Sequence, residues 1–557
     1  MKLVECVPNF SEGKDMSIIN SITSKIEDVD GVKLLDVDPG ADTNRTVVTF
    51  VGTPDEVVEA AFSAIEEASG LIDMRKHSGA HPRMGATDVC PFVPVQDITV
   101  EECNELVHRL AKRVGEELDI PVYLYEHSAT AEDRRNLATI RKGQYEAFEE
   151  KIKDEHWKPD YGTAQFNARS GVTAIGVRDF LVAYNVNINS QDRKKAHDIA
   201  LDIRERGRAK RDENHKIIRD ENGKALRVAG RLKACKAIGW YIDDYGVAQI
   251  SMNLTNTSIT MPHEAFEVCR EEANKRGLRV TGSELVGLIP KKALIDAGRY
   301  YLEKQGKSTG IPEKDIIHIA IKSMGLDELG EFDPQKKIIE YAYDDNACSK
   351  LISLSLKDFA DELSTDSPAP GGGSVAALSG ALAGALTAMV SNLTHGKREY
   401  AEYDEAMVRI GDKAQAVKSR LIEIIDEDTD AFNELMSAFR MKKKTDAQKQ
   451  ARKEAVENAT KKATGVPFEA METIRDLLDV LEEVEEKGNP NSVSDAGVAA
   501  LNAVACCEGA YMNVLINLQD IEDEAFVSDT KEKSADILKE VKERCNKLTE
   551  NVYKKII

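Results

Sequence analysis

The sequence predicts an α+β front, made of two ferredoxin-like β-α-β-β-α-β subdomains, followed by an all-α helical domain. Three observations predict this class. Short apolar runs alternate with helical periods as far as residue 282, and the order of these elements occurs twice. From residue 351 onward, only long periods of 3.6 residues are found. The 557 residues are also several times the usual length of one domain.

The first subdomain is predicted from short apolar strands and amphipathic helices. Its strands are expected at 2–8, 33–38, 45–52 and 121–125, and its helices at 14–28, 54–69 and 101–117. The second subdomain repeats this order, with strands at 180–188, 235–242, 247–254 and 278–282 and helices at 193–206 and 263–276. Both sheets are expected to be mostly antiparallel. The charged segment 207–230, between a helix and a strand, is expected to be a solvent-exposed insertion.

The back of the chain contains only helical patterns. Helices are predicted at 351–363, 374–394, 403–440, 446–486, 493–519 and 530–555, with a turn at 489–495 (NPNSVSD). These patterns divide the chain into a first subdomain at 1–180, a second at 181–341, a linker at 342–349 and a helical domain at 350–557.

Composition excludes several classes of protein. Lys and Arg number 75 against 97 Asp and Glu, which gives a net charge of -22 and argues against a nucleic-acid partner. Nine cysteines occur without a disulfide framework or a CxxC pair, so reduced thiols are expected. The first residues, MKLVECVPNF, lack the apolar region of a signal peptide. A cytoplasmic protein is therefore predicted.

The segment 367–395, SPAPGGGSVAALSGALAGALTAMVSNLTH, is apolar enough to suggest a membrane span. Its bulky residues fall on one helical stripe, and Ala, Gly and Ser fill the other faces. Neighbouring helices can approach such a helix closely. No aromatic belt flanks it, and no other segment is expected to resemble a span. A buried helix of a soluble domain is therefore predicted, without a membrane span.

The stretch HSGAHPRMGATDVCPF, 77–92, concentrates polar chemistry in a segment too rich in Gly and Pro for a helix. His77 and His81 are four residues apart, but the Glu of an HExxH zinc motif is missing, so no metal site is predicted. The guanidinium of Arg83 can bind a carboxylate through two parallel hydrogen bonds, and Asp88 is placed to orient an imidazole. The glycines allow close approach of a ligand to the backbone. The alternative is a loop whose histidines are satisfied by backbone groups.

Four motifs resemble one known family. VECVPNFSEG at 4–13, LLDVDPGADTNRTVVTFVG at 34–52 and HSGAHPRMGATDVCPFVPV at 77–95 resemble the formiminotransferase domain of the formimidoyltransferase-cyclodeaminase family. SPAPGGGSVAALSGALAGAL at 367–386 is similar to the start of its cyclodeaminase domain. The resemblance covers essentially the whole chain in the same domain order. It implies that 1–180 and 181–341 form the formiminotransferase and 350–557 the cyclodeaminase.

The resemblance implies a bifunctional folate enzyme of histidine degradation and one-carbon metabolism. Such an enzyme transfers the formimino group of N-formimino-L-glutamate to N5 of tetrahydrofolate, then closes the product to 5,10-methenyltetrahydrofolate and releases ammonia. The implied co-substrate is polyglutamylated tetrahydrofolate, with no metal. The family also implies a homo-oligomer, often a ring-shaped octamer. Two alternatives stay open: a related enzyme that uses formylglutamate or formiminoglycine, and a non-catalytic folate-binding scaffold.

The resemblance also implies roles for residues of the front. Transfer needs a group that takes a proton from N5 and gives one to the leaving amine, and a histidine suits this role. His81 matches the family's catalytic histidine. Asp38 is expected to stabilise the amidinium, and Arg45 and Arg83 to bind donor carboxylates, although structural ion pairs are equally compatible. The implied folate-binding stretch, for which a plain linker is the alternative, comprises Gly162, Thr163, Ala164, Gln165, Phe166, Asn167, Ala168, Arg169, Ser170 and Gly171.

Two features of the back are implied to serve the cyclodeaminase. Asp404 matches the family's proposed proton acceptor, although on sequence alone it is an ordinary helix-surface carboxylate. The N–H groups at the start of an apolar helix attract anions, and glycines let a ligand reach them. The predicted substrate-binding residues there are Gly371, Gly372, Gly373 and Ser374. A basic groove beside the helix that begins with PGGGS is expected from His395, Lys397 and Arg398.

Overall fold

The computed structural model describes residues 2–41, 43–79, 81–243, 245–343, 351–367 and 369–557. They form two compact units. The first unit comprises Met1–Leu294 and Met324–Asp344, and the second comprises Ile295–Ser323 and Asp345–Ile557. A front with mixed sheets is thus followed by a mostly helical domain, which confirms the coarse fold class. The predicted linker 342–349 lies outside the described residues from position 344.

The first sheet has seven strands. They are β1 Leu3–Cys6, β2 Asn9–Phe10, β3 Val32–Gly40, β4 Arg45–Gly52, β5 Thr87–Gln96, β6 Val122–Leu124 and β7 Thr173–Val177. The helices along this part of the chain are α1 Met16–Glu27, α2 Pro54–Leu71, α3 Val100–Glu117, α4 Leu137–Ile140 and α5 Gln144–Lys151. Strands β1 and β2 both lie between β4 and β5, and β3 forms the edge beside β4. Helices α1, α2 and α3 supply apolar side chains to the core on one face.

Strand β5 corrects the predicted order of the first subdomain. The fourth strand of the motif is not 121–125 but β5, which follows directly on the histidine stretch. The sequence TDVCPFVPVQ contains Pro91 and Pro94, which argue against a central strand. Proline has no backbone N–H to donate to a neighbouring strand. Nevertheless β5 pairs with β1 on one side and β7 on the other. The β5–β7 and β6–β7 pairs are parallel, so this sheet is mixed.

The second sheet is antiparallel throughout. Its strands are β8 Val182–Ile188, β11 Cys235–Ile242, β12 Val247–Leu254 and β13 Val280–Val286, in the order β11-β12-β8-β13. Helices α6 Arg193–Ile203 and α7 Pro262–Lys275 connect them. The segment 207–230 is largely exposed, and its ends pair as β9 Arg208–Ala209 and β10 Arg227–Val228. Four further helices were not predicted: α8 Lys291–Lys304, α9 Glu313–Met324, α10 Pro334–Lys337 and α11 Ile339–Tyr343.

The second unit is a helical bundle. It includes most of α8 and α9. Its helices after residue 350 are α12 Leu356–Leu363, α13 Gly372–Thr394, α14 Asp404–Arg440, α15 Asp446–Arg475, α16 Leu478–Lys487, α17 Val493–Leu518 and α18 Glu524–Ile556. The helix predicted at 446–486 is therefore two helices, α15 and α16. The loop after α8 belongs to this unit, since the Gly310 carbonyl accepts hydrogen bonds from Asn392 at 2.7 Å and Gln415 at 3.2 Å.

Helix α13 packs through its small residues rather than its bulky stripe. Its buried positions are Gly, Ala, Ser, Thr and one Val, while Leu382, Met389 and Leu393 are exposed. Helix α17 also exposes Met512 and Ile516. Two helices, Gly372–Thr394 and Pro490–Leu518, are long and apolar enough to cross a membrane. In the most apolar 18-residue segment of each, 61% and 39% are buried, respectively. The expectation of one such segment was therefore wrong.

Candidate active site

The open face of the first sheet forms one wall of a cavity of about 1050 Å³. Alternate residues of neighbouring strands point into it, including Asn9 of β2, Asp38 of β3 and Arg45 of β4. Its charged lining comprises Glu5, Asp36, Asp38, Arg45, Glu126, Arg135, Arg141, Arg178, Asp179 and Lys236. Five cations thus balance five acids in this lining, in a chain whose net charge is -22. The cavity can hold a ligand that carries both carboxylates and N–H groups.

His81 lies beside this cavity and is held by Arg45. Nη1 of Arg45 is 2.9 Å from Nε2 of His81, and Nη2 of Arg45 donates to the side-chain oxygen of Asn9. Because arginine can only donate, Nε2 of His81 is the acceptor and Nδ1 of the neutral ring carries the proton. Burial, with Arg45 and Arg141 nearby, lowers the pKa of His81 below its usual value. His81 is therefore a neutral imidazole whose lone pair faces a guanidinium.

Asp88 has a different partner from the one predicted. Its carboxylate is fully buried, accepts the N–H of Met84 at 2.9 Å and pairs with Arg141 at 2.6 Å. Asp88 therefore holds Arg141, which lines the cavity, and among the described residues it makes no hydrogen bond to either histidine. The pairing joins β5 to the segment after α4, and no local sequence pattern indicates it.

His77 and Arg83 form a second, internally satisfied group. Nε2 of His77 donates to the Asn44 carbonyl at 2.8 Å, and Nε of Arg83 donates to Nδ1 of His77 at 3.3 Å. Arg83 also forms a two-point ion pair with Glu146, at 2.6 and 2.9 Å. Both histidine nitrogens and the guanidinium fork are thus engaged within the protein. This geometry favours positioning of the loop over the carboxylate-binding role predicted for Arg83.

The predicted folate stretch lies against the histidine loop and does not line the cavity. The Ser170 carbonyl accepts the Ala86 N–H at 2.8 Å, and the ring of Phe166 lies 5.2 Å from that of Tyr145. A Cβ on Gly85 would lie 2.3 Å from the Val172 carbonyl, so that glycine allows two backbones to approach rather than a ligand. Residues 162–165 are exposed.

In the second unit, Asp404 begins α14 and faces the end of α13. Its Oδ1 accepts the Gly396 N–H at 2.9 Å and lies 3.4 Å from Nδ1 of His395. The His395 side chain is only 15% exposed, and its Nε2 is buried without a hydrogen-bond partner among the described residues. A histidine and a carboxylate therefore form a pair here, which the sequence did not predict.

The glycine-rich start of α13 is faced by a carboxylate of the protein. Ser374 donates to Oδ2 of Asp428 at 3.1 Å, and a Cβ on Gly373 would lie 2.1 Å from Oδ1 of Asp428. Burial raises the pKa of Asp428, and its hydrogen bonds with Ser374 oppose this rise. Gly373 and Ser374 are buried, whereas Gly372 is exposed. The helix start therefore already holds an anionic group, and only Gly371 and Gly372 of the predicted set are accessible.

Comparison with known proteins covers the chain from end to end. Family models match residues 3–178 (Formiminotransferase domain, N-terminal subdomain), 183–344 (Formiminotransferase domain) and 355–536 (Formiminotransferase-cyclodeaminase). Formimidoyltransferase-cyclodeaminase of Rattus norvegicus is 42% identical over 542 residues, which are 97% of each chain. The chain belongs to the formimidoyltransferase-cyclodeaminase family.

Two further relatives each correspond to only part of this family member. Glutamate formimidoyltransferase of Streptococcus pyogenes serotype M1 is 46% identical over 302 residues, which are 54% of this chain and 94% of that protein. Methenyltetrahydrofolate cyclohydrolase of Methylorubrum extorquens is 37% identical over 202 residues, which are 36% of this chain and 97% of that protein. Both halves therefore have relatives that exist as separate proteins.

The two predicted features of the cyclodeaminase half lie at opposite ends of one helix. Helix α13 has 23 residues. At about 1.5 Å per residue, Gly372 and Thr394 are roughly 33 Å apart. Asp404 contacts the carboxyl-terminal end, while the glycine-rich segment forms the amino-terminal end. His395 immediately follows the carboxyl-terminal end of this helix, so the basic groove expected from His395, Lys397 and Arg398 would lie at that end and stays a prediction.

Glu5 is a cavity residue that the sequence analysis did not single out. It lies in β1, is 4% exposed, and lines the cavity together with Asn9 and Arg45. Burial raises the pKa of Glu5 to about 7. The available signal was a charged residue inside the apolar run KLVECVP. Among the described residues, no group of three His, Cys, Asp or Glu side chains is placed to hold a metal ion, and the absence of a metal stays a prediction.

Proposed function

We propose that this chain transfers a formimino group from N-formimino-L-glutamate to N5 of tetrahydrofolate. We further propose that it cyclises 5-formiminotetrahydrofolate to 5,10-methenyltetrahydrofolate with release of ammonia. The family match over the full length supports both activities. The observation that carries the first activity is the neutral imidazole of His81 beside a cavity lined by arginines. Residues 1–180 and 181–341 supply the transferase, and 350–557 the cyclodeaminase.

His81 serves the transfer first as a base and then as an acid. N5 attacks the amidine carbon, and its proton passes to Nε2 of His81. The resulting imidazolium returns the proton to the glutamate nitrogen as the carbon–nitrogen bond to glutamate breaks. A histidine with a lowered pKa is neutral at physiological pH, so its base form is the resting form.

Arg45 links donor binding to this base. In the structure its guanidinium faces the nitrogen that must accept the proton. A donor carboxylate attracts Arg45 more strongly than a neutral imidazole does, because both partners are then charged. Movement of Arg45 onto the carboxylate frees Nε2 of His81. Asp38, exposed on the cavity wall, is placed to face the amidinium.

The His395 and Asp404 pair carries the cyclisation. N10 attacks the carbon of the protonated formimino group (–CH=NH2⁺), and Asp404 takes the N10 proton. Asp404 then returns this proton to the NH2 group, which leaves as NH3. Nδ1 of His395 lies 3.4 Å from Oδ1 of Asp404 without a hydrogen bond between them, and its buried Nε2 is available to relay the proton. The accessible glycines at the start of α13 and the implied folate stretch 162–171 are assigned to binding the polyglutamylated folate.

The finer structural and cellular assignments belong to the same proposal. Both sheets are assigned as ferredoxin-like, since the first strand lies between the third and fourth in each. A homo-oligomer is supported by the apolar side chains that α13 and α17 expose. The eight cysteines described are free thiols, which suits a cytoplasmic enzyme of histidine degradation. Neither a membrane span nor a nucleic-acid partner is proposed.

The test is an absorbance assay for 5,10-methenyltetrahydrofolate with the full-length protein. Formiminoglutamate should give this product, whereas formiminoglycine should not. Formylglutamate would give 5-formyltetrahydrofolate, which has no nitrogen to lose as ammonia, so it is looked for separately by chromatography and should not form. A protein that binds folate but gives no product with any donor is a scaffold, and product from another donor changes the assigned substrate.

Two variants then separate the reactions. His81→Ala should lower transfer by roughly 10²- to 10⁴-fold, the usual effect of losing a general acid–base group, and leave cyclisation of supplied 5-formiminotetrahydrofolate intact. Asp404→Ala should do the reverse. The matched controls are His156→Ala and Asp446→Ala, which alter an exposed histidine and an exposed aspartate in the first turn of a helix. Loss of both activities in either folded, assembled variant would contradict the division of roles.

A further inference from the structure

The cavity wall contains one deeply buried acid. Glu5 is 4% exposed, and its side chain lines the cavity. The other acids of the wall, such as Asp36 and Asp38, are exposed to water. Among the described residues, none donates a hydrogen bond to the Glu5 carboxylate. Buried carboxylates are normally paired, because an unpaired one is costly. Glu5 is therefore unlike a structural ion pair.

The surroundings of Glu5 favour an incoming donor. Burial raises its pKa to about 7, Arg178 opposes this rise and Glu340 adds to it. Arg178 lines the same cavity and donates to the Asp179 carbonyl at 3.0 Å. It is not within ion-pair distance of Glu5. A ligand that brings N–H groups to the carboxylate would favour its ionised form.

We propose that Glu5 binds a pair of adjacent N–H groups on a substrate of the transferase, through both oxygens of its carboxylate. This proposal rests on the proposed function. Two groups in that reaction present such a pair: the formimino group of the donor, which is an amidine, and the 2-aminopyrimidinone edge of the pterin. Parallel N–H···O bonds to a carboxylate are strong and fix orientation.

The position of Glu5 suits either source. Glu5, Val7 and Asn9 all line the cavity and so lie on one face of the sheet. Asn9 holds Arg45, and Arg45 holds His81. Four residues of extended chain separate Glu5 from Asn9, which is roughly 13 Å at most. The carboxyl group of Glu5 therefore lies on the same face of the sheet as Arg45 and Asn9, but farther from His81 than they do. A group bound by Glu5 can place its substrate with the reacting atoms toward His81.

Glu5 supplies a hydrogen-bond acceptor, which the arginines of the cavity cannot supply. The arginines of the cavity match the carboxylates of the substrates, but they have no acceptor to offer an N–H group. Asp38 has acceptors, yet it is exposed to water, which weakens charged contacts. A buried acceptor rejects a ligand that lacks the matching N–H groups, because it would then stay unpaired. Glu5 therefore contributes to selectivity as well as affinity.

The experiment measures binding of each substrate to full-length Glu5→Gln by calorimetry. The probes are tetrahydrofolate and formiminoglutamate, each alone. The amide has one acceptor oxygen beside a donor NH2 group and no charge, so it cannot accept a parallel pair of N–H bonds. The dissociation constant of one probe should therefore rise roughly 10- to 100-fold, the usual cost of losing charged hydrogen bonds. Glu116→Gln, an exposed change on α3, is the matched control and should alter neither constant.

The pattern of loss identifies the source. A loss confined to tetrahydrofolate assigns the pterin edge, and a 2-desamino analogue should then bind wild type as weakly as tetrahydrofolate binds Glu5→Gln. A loss confined to formiminoglutamate assigns the amidine. Unchanged constants for both probes overturn the proposal, as does an equal loss of both. If Glu5→Gln does not fold, the 2-desamino analogue and a donor without the imino N–H are compared on wild type, and unchanged binding of both overturns it. Absence of folate binding by wild type would instead overturn the proposed function.

Discussion

Substituting Glu5 by Gln should stabilise the first unit at alkaline pH and have little effect at acidic pH. The pKa of Glu5 is raised from 4.5 to about 7 by burial. A group with a raised pKa in the folded state contributes stability below its unfolded pKa, and this stability is lost as pH rises through the folded pKa. The difference is 7 − 4.5 = 2.5 units, and each unit corresponds to about 1.4 kcal/mol. Above pH 8, the ionised carboxylate therefore costs about 3 kcal/mol, which the neutral amide avoids.

The assay compares thermal unfolding of wild type and Glu5→Gln between pH 5 and pH 9, without substrate. The difference in Tm should be near zero at pH 5 and grow to several degrees in favour of Glu5→Gln above pH 8. Glu116→Gln, which is exposed, should show no such growth. A Glu5→Gln protein that is less stable than wild type at pH 8.5, or one whose difference does not change with pH, would refute the argument. Glu5 would then have a partner that holds it ionised.

Three further predictions concern the two candidate sites. The acidic limb of transferase kcat/KM should lie below pH 6.5, because burial and Arg45 lower the pKa of His81; a pH–rate profile with a limb above that value would contradict this. Gly373→Ala should destabilise the helical unit by about 1–3 kcal/mol in denaturant unfolding, since its Cβ must displace Asp428, and transferase activity should persist. If the two ends of α13 serve one reaction, the end of one chain must meet the start of another chain in a shared site. Co-assembled Asp404→Ala and Gly373→Ala chains should then regain cyclodeaminase activity, and mixtures that stay inactive would refute a shared site.

Locally encoded elements were predicted closely. The hairpin strands 235–242 and 247–254 match β11 and β12 because alternation of side chains and the turn between them are written in consecutive residues. The helix predicted at 403–440 corresponds to α14, whose apolar positions keep a period of 3.6 over its whole length. Both predictions needed no information from distant parts of the chain.

Elements whose stability comes from distant partners were missed. Strand β5 contains two prolines, and only pairing with β1 and β7 makes it a central strand. For α13, the pattern correctly indicated a helix but not its orientation. Packing of small residues brings neighbouring helices close, so the bulky stripe faces outward. Hydrophobicity alone assigns the larger side chains to the core, which is why the pattern gave no sign of this arrangement.

The candidate site shows the same contrast between what local sequence predicts and what depends on distant residues. The histidine stretch marked His81 as a candidate, but the partner that sets its state, Arg45, is 36 positions earlier and meets it only through the fold of β4. Glu146, which engages Arg83, is 63 positions later. Roles that depend on residue type could be predicted from the motif. Roles that depend on which charges are already paired could not.

The two proton-transfer groups differ in how they are held without substrate. His81 accepts from a guanidinium, so its lone pair is covered until a stronger acceptor attracts Arg45. His395 makes only a 3.4 Å contact with Asp404, and its Nε2 has no hydrogen-bond partner among the described residues. The first reaction needs two substrates to meet, and a base released by the donor acts only once the donor is bound. The second reaction is a ring closure within one molecule, so a base that is not held by a hydrogen-bonded partner suffices and nothing needs to release it.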